Sequence, residues 1–62
     1  MKPTNMKATI LAASTKLMAK QGIKNTSLAD IAKEVGISKG TLYYHYASKD
    51  DIICDMANMH LN

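Results

Sequence analysis

The sequence has no phenylalanine and no tryptophan, so its three tyrosines are its only aromatic residues. It has no arginine either, and all eight of its cationic side chains are lysines. The single cysteine, Cys54, excludes a disulfide within the chain and is typical of proteins in a reducing compartment. No apolar run approaches the ~20 residues of a membrane-spanning helix. These absences predict a cytoplasmic protein that does not enter a membrane.

Length and charge narrow the class further. Sixty-two residues make one small domain at most, and a domain of this size buries only ~60% of the surface that its unfolded chain exposes. The formal net charge is +3 and the isoelectric point is about 9.2. A basic chain is compatible with nucleic acid as a partner. Ordinary cytosolic domains are often equally basic, so charge alone does not decide the function.

Apolar spacing predicts four helices and no β-strand. The first predicted helix covers residues 5–21, with lysines on its polar face. Thr4 or Asn5 is expected to cap its start, and Gly22 lies where a left-handed residue closes a helix. The apolar residues that recur at helical spacing along it are Met6, Ile10, Ala13, Leu17 and Met18.

Short capped segments predict the other three helices. Ser27 and Asp30 have the spacing of a capping box at the start of the second helix, which stops at Gly36. The apolar face of that helix consists of Leu28, Ile31, Ala32 and Val35. Ser38 is expected to cap a third helix over about residues 39–46. Ser48 and Asp51 repeat the box before a fourth helix, whose apolar stripe consists of Ile52, Ile53, Met56 and Met59.

Two short helices joined by a glycine-containing turn are typical of a helix-turn-helix. Ala32 is small where the two helices would cross, Gly36 lies in the turn, and Ile37 follows it as an apolar plug. Val35 and Leu42 are expected to fill the space between the helices. The pattern therefore predicts an all-α domain whose second and third helices form a DNA-binding motif.

The third helix divides by geometry into an inner and an outer side. At ~100° per residue, Leu42 and Tyr46 face the core. The residues predicted to face outward are Gly40, Thr41 and Tyr44, and those at the margins are Tyr43 and His45. A tyrosine or histidine has a polar tip on a rigid body, which suits phosphate oxygens or base edges.

The outward side of this helix suits the major groove of DNA. Gly40 allows the backbone to approach bases closely, and Thr41 offers a hydroxyl and a methyl group that can touch thymine. Lys39 in the first turn can reach guanine, and recognition helices read bases mainly with their N-terminal residues. Lys49, at the start of the fourth helix, adds a positive charge beside the same DNA strand.

The string "TSLADIAKEVGISKGTLYYHYASKDDI" closely resembles the DNA-binding domain of the tetracycline-repressor (TetR) family of bacterial transcriptional regulators. The stretch "ILAASTKLMAKQGI" is similar to the first helix of that family, and the resemblance covers about residues 7–56. Departures are small, since Met18 and Tyr46 stand where phenylalanine is common. The resemblance implies a small, homeodomain-like bundle of three helices and the start of a fourth, with its helix-turn-helix at about residues 27–46.

The resemblance also implies roles for residues and partners. By position, the base-facing residues are Lys39, Gly40, Thr41 and Tyr44, and the phosphate-facing residues are Ser27, Tyr43, His45 and Lys49. The expected partner is double-stranded operator DNA, and no cofactor is implied. Members of the family continue into a C-terminal domain that binds an effector and forms a homodimer. We expect residues 1–62 to be the DNA-binding head of such a protein, a repressor released by a small molecule, without that second domain.

Other functions remain as alternatives. The apolar stripe of the fourth helix can pair with another protein, which would make the chain a helical interaction module. An enzyme is disfavoured, because the sequence contains no nucleophile–base–acid set and no glycine-rich phosphate loop. A metal site at Cys54 and His60 is disfavoured as well, because residues six apart diverge by ~240° on a helix and match no zinc pattern.

Overall fold

The computed structural model describes residues 5–61, and the side chains of residues 5–58. This part of the chain contains no strand and four α-helices: α1 Met6–Gln21, α2 Leu28–Val35, α3 Lys39–His45 and α4 Lys49–Leu61. The all-α fold predicted from apolar spacing is confirmed. No helix within residues 5–61 is long and apolar enough to cross a bilayer.

Every helix contributes to one shared core. The buried apolar residues are Ile10, Leu11, Met18, Ile31, Ala32, Leu42, Tyr46 and Ile52. Four of them, Ile10, Ile31, Leu42 and Ile52, are completely inaccessible to solvent, and they come from four different helices. Each helix thus supplies one fully buried side chain to this core. The exposed face of α3 is therefore held in place by a core that all four helices build.

The inner face of α1 differs in part from the sequence expectation. Ile10 and Met18 are buried as predicted, but Leu11 and Ser14 are buried too, while Ala13 is only partly so. The reason is that α1 packs against both α2 and α4, which widens its buried stripe. Ser14 is tolerated there because its hydroxyl donates to the Ile10 carbonyl at 2.7 Å, which satisfies a polar group that would otherwise be costly to bury.

The predicted cap of α1 and the predicted turn at Gly36 are both present, with one difference at Gly22. Asn5 caps α1, since its side-chain oxygen accepts a hydrogen bond from the Lys7 N–H at 2.9 Å, whereas Thr4 lies outside the described residues. Gly22 has the positive φ of 91° that favours glycine, but its ψ of 152° is extended rather than left-handed helical. Gly36 does adopt the left-handed conformation, with φ 89° and ψ 30°, and turns the chain between α2 and α3.

Helix α3 ends at His45, one residue earlier than predicted. Tyr46 has extended backbone angles, φ −137° and ψ 120°, and therefore caps α3 instead of extending it. Its side chain nevertheless stays in the core. The Ser48 hydroxyl accepts a hydrogen bond from the Asp51 N–H at 3.3 Å, which is one half of the predicted box.

The described part of the apolar stripe of α4 packs against the core of the same chain. Ile52 is buried, and Ile53 and Met56 are partly buried against the core cluster. The side chain of Met59 lies outside those that the structure describes. The structure gives no support to the alternative of a protein-interaction module, because the described part of the stripe packs against α4's own neighbours.

Tyr46 connects three helices through one side chain. Its hydroxyl donates to an Asp55 carboxylate oxygen at 2.7 Å, and the Lys7 Nζ lies 5.3 Å from the centre of its ring. Burial first, and then the hydrogen bond to Asp55 and the negative charge of that carboxylate, raise the pKa of Tyr46 from 10.0 to about 12. The phenol therefore stays protonated in the folded chain at pH values where a solvated tyrosine ionises.

This raised pKa predicts a specific pH dependence of stability. Tyr46 contributes fully to the free energy of unfolding below pH 10, and this contribution is lost between pH 10 and about 12. The loss occurs because Tyr46 ionises in the unfolded chain before it ionises in the folded chain, and it amounts to at most about 1.4 kcal/mol per pH unit. We expect Tyr46→Phe to lower the free energy of unfolding by roughly 1–2 kcal/mol at pH 9. Urea denaturation from pH 9 to 12 should show this difference shrinking. Parallel curves for the two proteins would contradict the assignment.

Candidate nucleic-acid interface

The three tyrosines divide between core and surface as the helix geometry predicted. Tyr44 is 86% exposed and Tyr43 is 51% exposed, whereas Tyr46 is 3% exposed. Lys39, Gly40 and Thr41 are exposed as well, and Leu42 is buried. The four residues predicted to face bases, Lys39, Gly40, Thr41 and Tyr44, thus lie on the solvent side of one short helix. That arrangement confirms their exposure, while their contact with DNA stays a prediction.

The start of α3 is stabilised by a paired cap. The Ser38 hydroxyl accepts a hydrogen bond from the Thr41 N–H at 3.1 Å and donates its own proton to Thr41 Oγ1 at 3.0 Å. A threonine hydroxyl has one donor and two acceptor positions, so the proton of Thr41 remains available to an acceptor outside the chain. The cap therefore orients Thr41 as a donor toward solvent and holds the first turn in which it lies.

Gly40 has no explanation within the fold. A Cβ built at this position meets only the Ser38 Oγ, at 3.8 Å, which is ordinary van der Waals contact. Its φ does not lie in the positive range that favours glycine, which within residues 5–61 is found only at Gly22 and Gly36. A glycine inside a helix costs about 1 kcal/mol relative to alanine. The described contacts of the fold therefore give no reason for a glycine on the exposed side of α3.

Tyr44 and His45 brace one another at the end of α3. Their ring centroids are 5.1 Å apart and the rings are nearly perpendicular, at 86°, an edge-to-face arrangement that aromatic pairs favour. His45 is partly buried, while Tyr44 projects into solvent. The contact restricts the Tyr44 ring without covering its hydroxyl. The exposed Tyr44 side chain therefore has an aromatic contact within the chain, on His45.

Ser27 forms the complete capping box that its spacing predicted. Its hydroxyl accepts a hydrogen bond from the Asp30 N–H at 3.1 Å, and its own N–H donates to the Asp30 carboxylate at 3.1 Å. The hydroxyl proton remains free to donate to a phosphate oxygen. The N–H groups of Leu28 and Ala29 belong to the first turn of α2, where no carbonyl of the helix reaches them. The helix start thus offers hydrogen-bond donors in spite of the nearby carboxylate.

Lys49 occupies a position that sequence reasoning did not foresee. Its Nζ donates to the Ile23 carbonyl at 2.8 Å and to the Thr26 carbonyl at 3.1 Å, and the side chain is partly buried. These acceptors are backbone atoms, which leave no side-chain pattern in the sequence, and they lie more than twenty residues away. The predicted phosphate contact of Lys49 is untested, but the structure gives this ammonium group two partners inside the chain.

The other reactive side chains that the structure describes form no second site. Cys54 is exposed as a free thiol. Among the residues that the structure describes, no three histidine, cysteine, aspartate or glutamate side chains come together as metal ligands. Lys16 and Glu34 form an ion pair at 3.0 Å on the surface between α1 and α2, where such pairs add at most about 1 kcal/mol.

The turn at Gly36, the two helices around it and the exposed polar side of α3 together define a helix-turn-helix domain of the kind that binds DNA. Residues 10–56 match the family model described as "Bacterial regulatory proteins, tetR family". The chain therefore belongs to the TetR family of transcriptional regulators and is its DNA-binding domain, not an enzyme. The resemblance predicted from the helix-turn-helix string is confirmed.

Named relatives point to the same class. The chain is 36% identical over 47 residues to the HTH-type transcriptional regulator AcrR of Shigella flexneri, covering 76% of this chain and 22% of AcrR. It is 43% identical over 47 residues to IcaR of Staphylococcus epidermidis, the biofilm operon icaADBC HTH-type negative transcriptional regulator, covering 76% of this chain and 25% of IcaR. It is 34% identical over 47 residues to the HTH-type transcriptional regulator TtgR of Pseudomonas putida, covering 76% of this chain and 22% of TtgR.

The chain thus matches about a quarter or less of the length of these three relatives. No solved structure shows significant similarity to it. The shared region contains α2, α3 and the turn between them, so the similarity concerns the DNA-binding part of those proteins.

Proposed function

We propose that this chain recognises a specific sequence of double-stranded DNA with the exposed side of α3, as the operator-reading head of a bacterial repressor. The observation that carries the proposal is Gly40, an exposed glycine that the fold does not need, beside Tyr44, which is 86% exposed. A protein under no external constraint would gain helix stability from alanine at position 40. Close approach to a base edge supplies the constraint that the fold lacks.

The four base-facing residues divide the recognition between them. Lys39 carries a positive charge in the first turn, where it reaches the acceptors of guanine, and Thr41 presents a donor proton and a methyl group. Tyr44 lies one turn further along and extends the contact toward the end of the helix. Gly40 lets the helix enter the groove far enough for its neighbours to reach the bases.

The phosphate-facing residues surround that helix and account for its position on the duplex. Tyr43 and His45 lie at the margins of α3, and Ser27 lies at the start of α2 beside free N–H groups. Lys49 retains one N–H beyond the two that it donates inside the chain. With a net charge of +3, one isolated head should bind DNA weakly, near the nonspecific range of ~10⁻⁴–10⁻⁶ M.

The whole regulator completes this function with parts outside the described residues. In our proposal it is cytoplasmic, forms a homodimer through a C-terminal domain, and leaves its operator when that domain binds a small-molecule effector. Support for the repressor role comes from IcaR, which is named as a negative regulator. A two-fold dimer would place two such heads on half-sites one helical turn apart, ~34–36 Å along the duplex.

The Tyr44→Ala substitution tests the proposed base contact. We expect it to weaken binding to a duplex selected by the wild-type chain from a randomised library by about 1–3 kcal/mol, or roughly 5- to 150-fold. Binding to a duplex of shuffled sequence should change less than twofold, because phosphate contacts remain. Fluorescence anisotropy at one fixed salt concentration measures both affinities. Cys54→Ala, at an exposed position on α4, is the control. Equal losses on both duplexes would contradict a sequence-reading role for Tyr44.

A further inference from the structure

The loop between α1 and α2 is held by hydrogen bonds from side chains to its carbonyl groups. Asn25 Nδ2 donates to the Gln21 carbonyl at 2.9 Å, and Gln21 Nε2 donates back to the Asn25 carbonyl at 3.0 Å. The Thr26 hydroxyl, which is buried, donates to the Gly22 carbonyl at 2.8 Å. These donors all come from the loop or the end of α1. They fix the local shape of the loop but not its position relative to α3 and α4.

Lys49 supplies the connection from outside the loop. It is the first residue of α4, and its Nζ bridges the Ile23 and Thr26 carbonyls at 2.8 and 3.1 Å. Hydrogen bonds from a charged donor are roughly twice as strong as those between neutral groups. The bridge is therefore a strong contact and not an incidental one.

The bridge ends directly beside a proposed DNA contact. Thr26 is followed in the chain by Ser27, the cap of α2, and Lys49 follows α3 after residues 46–48. One side chain thus links the residue before the phosphate-facing start of α2 to the segment that leaves the base-facing helix. The Ser27 hydroxyl has to reach a phosphate at the same time as α3 lies in the groove. Both contacts can form together only if the distance between Ser27 and α3 is maintained.

We propose that Lys49 is a positioning residue for DNA binding, which sets the place of Ser27 relative to α3 by holding the Thr26 carbonyl. The inference rests on the proposed function, since it assumes that Ser27 contacts a phosphate. It assigns to Lys49 a role inside the protein that is separate from any phosphate contact of its own. The two roles differ in one measurable way: positioning makes the effects of Lys49 and Ser27 on binding depend on each other.

A double-mutant cycle tests this dependence. The variants are Ser27→Ala, Lys49→Met and the combination, each checked for helical circular dichroism and titrated with the duplex selected by the wild-type chain. We expect Ser27→Ala alone to weaken binding about fivefold and Lys49→Met alone about tenfold, as charge-assisted contacts are lost. In the Lys49→Met background, Ser27→Ala should cost less than twofold. Multiplying losses would overturn the proposal, because residues that act independently have additive free energies.

Lys39→Met provides the matched control, because it also removes one lysine from the proposed interface but has no part in the loop. Its effect should multiply with that of Ser27→Ala. Amide hydrogen exchange gives a second readout: Lys49→Met should speed exchange at the Thr26 N–H, which donates to the Ile23 carbonyl at 3.2 Å, and Lys39→Met should not. Unchanged exchange at Thr26 would contradict a positioning role.

The remaining outcomes are equally decisive. If Lys49→Met does not fold, the cycle is run with Lys49→Gln, which is neutral but keeps an N–H donor; if that variant is also unfolded, Lys49 serves the whole fold and the positioning role is wrong. If Ser27→Ala binds as tightly as the wild type, Lys49 does not act through Ser27. A wild-type chain that binds no duplex at all would overturn the proposed function instead, so the two failures are distinguishable.

Discussion

The Gly40→Leu substitution is expected to leave the chain folded, with stability equal to or above that of the wild type, and to abolish specific DNA binding. A Cβ at this position meets nothing closer than the Ser38 Oγ at 3.8 Å, and leucine is favoured over glycine in a helix by about 0.5–1 kcal/mol. The same side chain would stand between the α3 backbone and the base edges. Each base contact it displaces should cost roughly 1–3 kcal/mol of binding free energy.

Two measurements on the Gly40→Leu protein check that its stability is kept while its DNA binding is lost. Thermal unfolding followed by circular dichroism gives the stability, and anisotropy titration with the selected duplex gives the affinity. Gly36→Ala is the informative contrast: Gly36 has a φ of 89° in the turn, so alanine there should destabilise the fold by about 1–2 kcal/mol. DNA affinity measured on the folded Gly36→Ala protein should be retained. Tight binding by Gly40→Leu would show that α3 does not approach DNA closely at this point.

The Leu42→Ala substitution is expected to unfold most of the chain at 25 °C. Leu42 is completely buried in the core that all four helices share, and truncating a buried leucine costs about 2–5 kcal/mol. A core in a domain of this size rarely supplies more than about 3–5 kcal/mol in total. The loss of one side chain is therefore comparable with the whole stability of the fold.

Tyr43→Ala, at the neighbouring position on α3, is the control for Leu42→Ala. It also introduces alanine into the helix but removes a side chain that is not buried. Tyr43 is 51% exposed, so its truncation should lower the free energy of unfolding by less than about 1 kcal/mol. Helical circular dichroism and dispersion of the amide proton spectrum should be lost in Leu42→Ala and kept in Tyr43→Ala. A well-folded Leu42→Ala protein would mean that the core does not hold α3 in the way described.

The orientation of α3 was predictable because a short amphipathic helix has one simple geometry. Leu42 and Tyr46 fall on one side at ~100° per residue, and the structure buries both. The caps at Ser27 and Ser38 were predictable for a similar reason, since a capping hydroxyl acts within three residues of its own position. Sequence patterns are sufficient to predict a cap or a buried face when the interacting residues lie within one turn of the same helix.

Long-range contacts set the limit of such reasoning. The burial of Leu11 and Ser14 in α1 depends on where α2 and α4 pack, which periodicity along α1 does not reveal. The contact of Tyr46 with Asp55 joins separate segments. The bridge from Lys49 to two backbone carbonyls has no sequence signature at all. The exposed candidates for DNA contact were therefore predictable, while the interactions that support them were not.

Recognition of DNA by the exposed side of α3 is tested most directly by titrating the ¹⁵N-labelled chain with its selected duplex and following the amide chemical shifts. We expect the largest changes to cluster at Ser27, at the start of α2, and along residues 39–45, with smaller changes at Lys49. The amides in the middle of α1 and of α4 should move little. Changes centred on Ile53 and Met56 instead, or spread without preference over the lysines, would contradict recognition of DNA by the exposed side of α3.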